Sequence, residues 1–212
     1  MSSRSCSLVL LLVAACGDDG GGGAQVDAAP NLDAAADAAP DADPSIAPLV
    51  GTWMKGADSW SGQMIPMVTF RANGTVSIGD TATPDQGTYT VPSAGRLKMV
   101  FGASSTDGEF VIGNNHLLIS ALLPQGTVTG FVGTWRSAFT ANGAMGTETV
   151  VINSNNSATY TLMGPSGSQT WTGTWAAEGT GLVFNGTTPS AITYHYRPIG
   201  MAGIGTQLFT KQ

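Results

Sequence analysis

The stretch that decides the fold class is VTFRANGTVSIG, at residues 68–79. Val68 and Phe70 alternate with polar residues before Asn73-Gly74, and Val76 and Ile78 alternate in the same way after it. Alternation with a period of two places the apolar side chains of a strand on one face. Asn-Gly between two such runs is the strongest short-range signal for a β-hairpin. The stretch therefore predicts two antiparallel strands with a common buried face.

The same alternation continues to the end of the chain. Further runs are TYTV, RLKMVF, HLLISALL, TVVIN, ATYTL, GLVFNG, ITYHYR and TQLFTK. Turn residues such as Asn142-Gly143 and Asn185-Gly186 separate some of these runs, and no segment has a sustained helical period. About ten to twelve short strands with such turns indicate an all-β sandwich or barrel.

The first residues of the chain differ in character from the rest. One basic residue, Arg4, precedes an apolar run from Leu8 to Ala15, which is too short for a membrane-spanning helix. It suits the apolar region of a secretory signal peptide. Leu12-Val13-Ala14-Ala15 before Cys16 resembles the lipobox of bacterial lipoproteins. That resemblance implies a signal peptide over residues 1–15 and acylation of Cys16, which anchors the protein to a membrane.

A tether follows the cysteine. Residues 17–48 consist mainly of Gly, Ala, Asp and Pro, with seven Asp and no Lys or Arg. Such a composition cannot bury enough apolar surface to fold, so we expect residues 16–48 to be a disordered linker. Gly17, rather than Asp, follows Cys16, and by resemblance to well-studied lipoproteins this implies the outer membrane of a bacterial cell envelope.

Charge and cysteine content limit the function of residues 49–212. This part carries seven acidic and seven basic residues and no cysteine. A formally neutral domain lacks the basic surface expected for nucleic-acid binding. Because both cysteines, Cys6 and Cys16, precede the tether, we expect no disulfide and no thiol chemistry in the domain.

One short motif recurs. VGTW occurs at residues 50–53 and 132–135, GTY at 87–89 and GTW at 173–175. We call the displacement from position 51 to position 133 the repeat offset. Near this offset five blocks match in the same order, the last being HLLIS against QLFTK. Ordered matches over such a length indicate duplication. We therefore predict two half-repeats, residues 49–130 and 131–212, within one β domain over residues 49–212.

Gly-x-Trp at the start of a β-meander resembles the first strand of lipocalin-like and related calycin barrels. The matching residues are Gly51 with Trp53 and Gly133 with Trp135, and QLFTK at 207–211 is similar to the last barrel strand of that group. The resemblance implies an antiparallel meander barrel in which the tryptophan closes one end. We expect one barrel built jointly by two similar halves, because a unit of about 80 residues has a thin core. Two small barrels in tandem are the alternative.

No catalytic, cofactor or metal-binding constellation stands out. His116 and His195 have no Asp, Cys or His partner nearby in sequence, and the acidic residues lie mostly at turns. We therefore expect a non-enzymatic domain without a cofactor. Trp60, Trp171, Tyr194 and Tyr196 are the residues we expect to contact a ligand in the barrel mouth.

The sequence thus predicts a lipid-anchored envelope protein whose barrel binds a small apolar ligand. Fold-level analogy is the main support for that ligand. The alternative is a structural or interaction module with a solid core, which contacts an envelope protein or a polysaccharide. A contiguous exposed aromatic patch would favour this alternative.

Overall fold

The computed structural model describes residues 46–55, 67–79 and 82–212. Cys16, the signal peptide, most of the tether and Trp60 lie outside these ranges, so the predictions for them stay predictions. Every helix or strand in the described ranges is a β-strand, which confirms the all-β prediction. In these ranges no helix is long and apolar enough to span a membrane.

The hairpin at residues 68–79 forms as its pattern predicts. Strands β2 (Met67–Phe70) and β3 (Thr75–Ile78) pair antiparallel, with Val68 opposite Ile78 and Phe70 opposite Val76. All four side chains are buried. In the turn, Gly74 has a φ of 78°, which glycine adopts at little cost.

Eight strands form a closed antiparallel barrel, called here the first barrel. Each strand pairs with two others of the set, and β7 pairs with both β6 and β16 to close the ring. Its strands in spatial order are β1 (Gly51–Lys55), β2, β3, β4 (Asp85–Ser93), β5 (Arg96–Phe101), β6 (Ser104–Gly113), β7 (His116–Ile119) and β16 (Leu208–Lys211).

The other eight strands continue the same sheet outside the first barrel and are called here the second ring. They are β8 (Leu123–Thr129), β9 (Val132–Ala141), β10 (Ala144–Ile152), β11 (Ser157–Gly164), β12 (Gly167–Glu178), β13 (Gly181–Thr188), β14 (Ile192–Ile199) and β15 (Gly203–Gly205). Each pairs with the next along the chain, and β9 also pairs with β6. An isolated bridge joins the ends, because the Leu122 and Ile204 backbones exchange hydrogen bonds of 2.8 and 3.0 Å.

The second ring is inserted into the first barrel between its last two strands. Leu118 of β7 lies opposite Leu208 of β16, and the Ile119 amide donates to the Gln207 carbonyl at 3.4 Å. Ile119 and Gln207 are thus far apart in the sequence but lie side by side, like the two residues that flank the loop of a hairpin. All strands of the second ring lie in the chain between these two points.

This arrangement differs from the predicted single barrel of ten to twelve strands. The described ranges contain sixteen strands, and the closed barrel has eight. The division at residue 130 also differs, because β8 belongs to the second ring and β16 to the first barrel. Long-range backbone pairing decides which strands belong to each set, and a repeat pattern in the sequence carries no information about that pairing.

Each set of strands has its own core. In the first barrel the core includes Trp53, Val68, Phe70, Leu117 and Phe209. In the second ring it includes Trp135, Val150, Leu182, Phe184 and Tyr196. A smaller cluster of Leu118, Ala121 and Ile199 packs where the two cores adjoin.

Turn contacts recur at the repeat offset. The Asn73 Oδ1 atom accepts hydrogen bonds from the Thr75 amide at 3.1 Å and the Thr75 hydroxyl at 2.7 Å. Asn155 Oδ1 accepts from the Ser157 amide and hydroxyl at the same two distances. The two turns therefore have the same side-chain capping.

The GTY and GTW copies also make equivalent contacts. The Tyr89 hydroxyl donates to the Arg71 carbonyl at 2.9 Å, and the Trp175 indole donates to the Asn153 carbonyl at 2.8 Å. Arg71 and Asn153 are again related by the repeat offset. Tyr89 therefore connects β4 to the turn between β2 and β3, and Trp175 connects β12 to the turn between β10 and β11.

Candidate functional site

The two Gly-x-Trp motifs occupy equivalent buried positions. Trp53 and Trp135 are each 1% exposed. Their indole N–H groups donate to the Leu49 carbonyl at 2.7 Å and to the Phe131 carbonyl at 2.9 Å. Such satisfied, fully buried tryptophans stabilise a core and present no face to a ligand.

The glycines of these motifs have conformations that other residues rarely adopt. Gly51 has a φ of 134° and Gly133 a φ of 143°. A Cβ atom at Gly133 would approach the Val128 side chain to 2.5 Å, which is too close for a real contact. The glycine therefore allows β9 to lie against β8, and its role is structural.

A cavity in the first barrel extends to β9 of the second ring, since Phe139 and Thr140 also line it. Its volume is about 60 Å³. An apolar cavity of about 150 Å³ binds benzene, so this smaller cavity has room for a few waters or a compact ligand group. Much of the lining is apolar and comes from the barrel interior, including Val68, Ile78, Leu97, Met99 and Phe209.

Two carboxylates border this cavity, and one guanidinium binds both. Arg96 lies 2.6 Å from Asp107 and 3.3 Å from Glu109. The second Glu109 oxygen accepts hydrogen bonds from the Ser137 hydroxyl at 2.7 Å and the Ala138 amide at 2.8 Å. These contacts connect β6 to β9, so the acids serve the junction between the barrel and the ring. Their charge is partly compensated, which favours an uncharged ligand.

The structure brings three of the predicted ligand residues together in the second ring. The Trp171 and Tyr194 rings lie 5.4 and 5.0 Å from the Tyr160 ring, and the Tyr196 ring lies 6.2 Å from that of Tyr194. The Tyr160 hydroxyl hydrogen-bonds to Tyr194. Trp60 is not in the described ranges, and Tyr160 is the member that the sequence analysis missed.

A carboxyl group faces the same rings. Glu148 lies on β10 with the alternation of Val150 and Ile152, both of which are buried in the second ring. Burial raises the pKa of Glu148 from its ordinary value of 4.5 to about 7. Part of the residue remains exposed, so the shift reflects crowding of the carboxyl by protein rather than complete enclosure.

The pKa values of three tyrosines are shifted by burial and by this carboxyl group. Burial, and after it the charge of Glu148, raises the pKa of Tyr160, Tyr194 and Tyr196 above the ordinary value of 10.0. The Tyr196 side chain is fully buried, and among the residues that the structure describes its hydroxyl has no hydrogen-bond partner. An unpartnered buried hydroxyl is costly.

A second acid lies on the opposite face of the same sheet. Glu178 is 2.6 Å from the Nδ1 atom of His195, and the Arg197 guanidinium is 3.4 Å from the same carboxylate oxygen. The hydrogen bond from His195 is the main cause that holds the pKa of Glu178 below its usual value. This pair was not predicted from the sequence, because its members lie on different strands, with Glu178 at the end of β12 and His195 on β14.

The exposed surface offers no aromatic patch within the described ranges. The exposed large hydrophobic residues there are Met54, Met145, Met163 and Met201. This part of the chain therefore lacks the exposed aromatic patch that would favour an interaction module. The described ranges also contain no group of three or more His, Cys, Asp or Glu side chains placed to hold a metal ion.

Comparison with known proteins gives no family: no protein-family model matches the chain, and no curated protein or solved structure is significantly similar to it.

Proposed function

We propose that this protein is a lipid-anchored component of a bacterial cell envelope whose first barrel binds a small apolar ligand. The cavity inside the barrel is the observation that carries the proposal. Apolar pockets with a few polar groups at the edge are typical of small-molecule sites. A non-enzymatic role accords with the ion pairs of Asp107 and Glu109, which engage both acids in structural contacts.

The size and lining of the cavity define the ligand class. A volume of about 60 Å³ is less than half of the roughly 150 Å³ that holds benzene, so it suits a short branched chain or the edge of a single ring. Since Arg96 compensates the bordering acids, a neutral ligand meets little electrostatic penalty. Fluorobenzene is a suitable probe, because its binding can be followed by ¹⁹F relaxation.

Thr106→Phe tests the site, because Thr106 lines the cavity and a phenyl ring there would fill part of it. We expect saturable ¹⁹F line broadening with the wild-type chain and its loss in the variant. Thr88→Phe is the matched control, since Thr88 is an exposed residue of β4 and should leave binding unchanged. Absence of broadening in the wild type would refute the ligand proposal.

The anchor has a separate test. The lipobox-like residues before Cys16 support acylation, and the thiol is the only reactive group that a cysteine adds there. Several acyl chains hold a protein stably at a membrane. Cys16→Ser should move the protein from the membrane fraction to the soluble fraction, with Cys6→Ser as the control. Unchanged membrane retention would contradict the lipoprotein assignment and the envelope location together.

We also propose that the first barrel and the second ring descend from one duplicated unit and form two small barrels. Support comes from the turn and indole contacts that recur at the repeat offset. Transplanting RANGT from residues 71–75 into positions 153–157 tests the equivalence. We expect a change in unfolding free energy below about 1 kcal/mol, since the turns have the same capping. Loss of cooperative unfolding would argue against equivalence.

A further inference from the structure

The second ring contains an acid, Glu148, whose negative charge is not compensated by any residue that the structure describes. In the described part of the chain, no Lys, Arg or His side chain forms an ion pair with Glu148. Nor does its carboxyl accept a hydrogen bond from the residues that the structure describes. A crowded carboxyl without a partner holds a proton below its pKa of about 7, and above that pH a bound positive group would compensate its charge.

The surroundings of this acid are aromatic. We call Glu148, Tyr160, Trp171, Tyr194 and Tyr196 the Glu148 cluster. Its rings belong to β11, β12 and β14, and they contact one another at ring-centre distances of 5.0 to 6.2 Å. Aromatic faces carry negative potential and attract cations, and cages of such faces bind ammonium groups. A cation therefore gains from the rings as well as from the carboxylate.

The members of the cluster range from partly exposed to fully buried, and we call the buried end its floor. Glu148 and Tyr194 are partly exposed, whereas Tyr196 is 0% exposed. The unpartnered Tyr196 hydroxyl offers a hydrogen bond at the floor. A ligand that enters past Glu148 and Tyr194 would satisfy this hydroxyl with its own polar group.

We propose that the Glu148 cluster binds a small organic cation, an amine or quaternary ammonium group held between the Glu148 carboxylate and the surrounding rings. A divalent metal ion fits poorly, because Ca²⁺ takes six to eight oxygen ligands and the cluster has one carboxylate. An anion would be repelled by Glu148. This site lies in the second ring, so it is independent of the apolar cavity in the first barrel.

Choline and its uncharged carbon analogue 3,3-dimethylbutan-1-ol separate charge from shape. Isothermal titration of the full chain at pH 8 should show saturable choline binding, with the neutral analogue at least about tenfold weaker. Glu148→Gln should lower choline affinity about tenfold or more while keeping the shape of the side chain. Tyr196→Phe should weaken it severalfold, because it removes the hydroxyl and keeps the ring.

Two controls make the result specific. Glu178→Gln removes an acid on the opposite face of the sheet and should leave choline binding unchanged. Thr106→Phe alters the first-barrel cavity and should also leave it unchanged, even where it abolishes fluorobenzene binding.

Three results would overturn the proposal. They are no saturable choline binding to the wild type, equal affinity for the neutral analogue, and equal choline affinity in Glu148→Gln and the wild type. Loss of choline binding in Thr106→Phe with Glu148→Gln unaffected would place the cation in the first barrel and would also reject the cluster. None of these results depends on whether the first barrel binds an apolar ligand.

Discussion

At the residue scale, Glu148 has the most unusual environment in the described ranges. A carboxyl on an inward-facing strand position lies among tyrosines and has no counter-ion there. In the unfolded chain the same group is hydrated and has its ordinary pKa. The difference in pKa between folded and unfolded states makes stability depend on pH.

The sign of this dependence follows from the raised pKa of Glu148, about 7 against an ordinary 4.5. Between these values the folded state holds a proton that the unfolded state has lost, so stability falls as pH rises. The loss is up to about 3 kcal/mol, at about 1.4 kcal/mol for each pKa unit. Glu148→Gln should remove this decline and stabilise the protein at pH 8, as measured by urea unfolding at pH 5 and pH 8.

Glu178→Gln is the matched control for this pH effect. The pKa of Glu178 is lowered, so its contribution is present above the unfolded pKa and disappears only as the pH falls below that value. The variant should therefore keep the decline between pH 5 and pH 8. An unaltered decline in Glu148→Gln would show that another group causes it.

Trp53 and Trp135 should contribute similarly to stability. Phenylalanine at either position loses the indole hydrogen bond and leaves a small cavity at a site that is 1% exposed. We expect each substitution to lower the unfolding free energy by about 2–4 kcal/mol. Denaturant unfolding measures this, with Met145→Ala, at a residue 78% exposed, as a control that changes little. A large effect at one tryptophan alone would contradict their equivalence.

At the scale of single strands, two glycines permit close strand approach. Gly87 on β4 and Gly173 on β12 are the glycines of the GTY and GTW copies. A Cβ atom at Gly87 would overlap the Val100 carbonyl oxygen, and one at Gly173 would overlap that of Asn185. Backbone atoms cannot move aside as a flexible side chain can. The motif glycine therefore reflects packing against the next strand.

Gly87→Ala and Gly173→Ala should both destabilise the protein by about 1–3 kcal/mol, the usual cost of overpacking. Gly164→Ala is the control, because a Cβ atom at Gly164 meets nothing within 4 Å. Thermal and denaturant unfolding of the three variants checks the order. Equal stability of Gly173→Ala and Gly164→Ala would contradict the packing explanation.

At the scale of the whole molecule, the insertion separates sequence halves from folding units. The first barrel needs β16, which pairs with β1 and β7 from the opposite end of the chain. Residues 49–130 lack this strand, and an open barrel exposes unpaired edges and its core. The predicted half-repeat therefore does not coincide with a closed unit.

Replacing residues 120–206 with Asn-Gly should join β7 directly to β16 and leave the first barrel closed. The adjacency of Ile119 and Gln207 gives the geometry of a two-residue hairpin loop. We expect cooperative thermal unfolding and a dispersed NMR spectrum for this shortened chain. A fragment of residues 46–130 should show neither, because it lacks β16. Cooperative unfolding of that fragment would reject the insertion as the organising feature.

The local strand pattern and the Asn73-Gly74 turn were readable from the sequence alone, but Asn185-Gly186, predicted as a turn, lies inside β13. Alternating residues such as Val68, Phe70, Val76 and Ile78 have to share a face in any antiparallel pairing, and Asn73-Gly74 favours the hairpin between them. The repeat offset relates the capped turns at Asn73 and Asn155, but HLLIS and QLFTK, matched in the sequence, form the neighbouring strands β7 and β16. These properties depend on neighbours within one or two strands.

Only the tertiary structure decided which strands close a ring and which side chains meet inside it. β16 has the same alternation whether it pairs in the first barrel or in the second ring, so its pattern cannot specify its partners. Glu148 and Tyr196 are far apart in the sequence, and their proximity depends on the curvature of the strands from β10 to β14. Side-chain alternation specifies which face a residue occupies, but long-range hydrogen bonding specifies which residues share that interior.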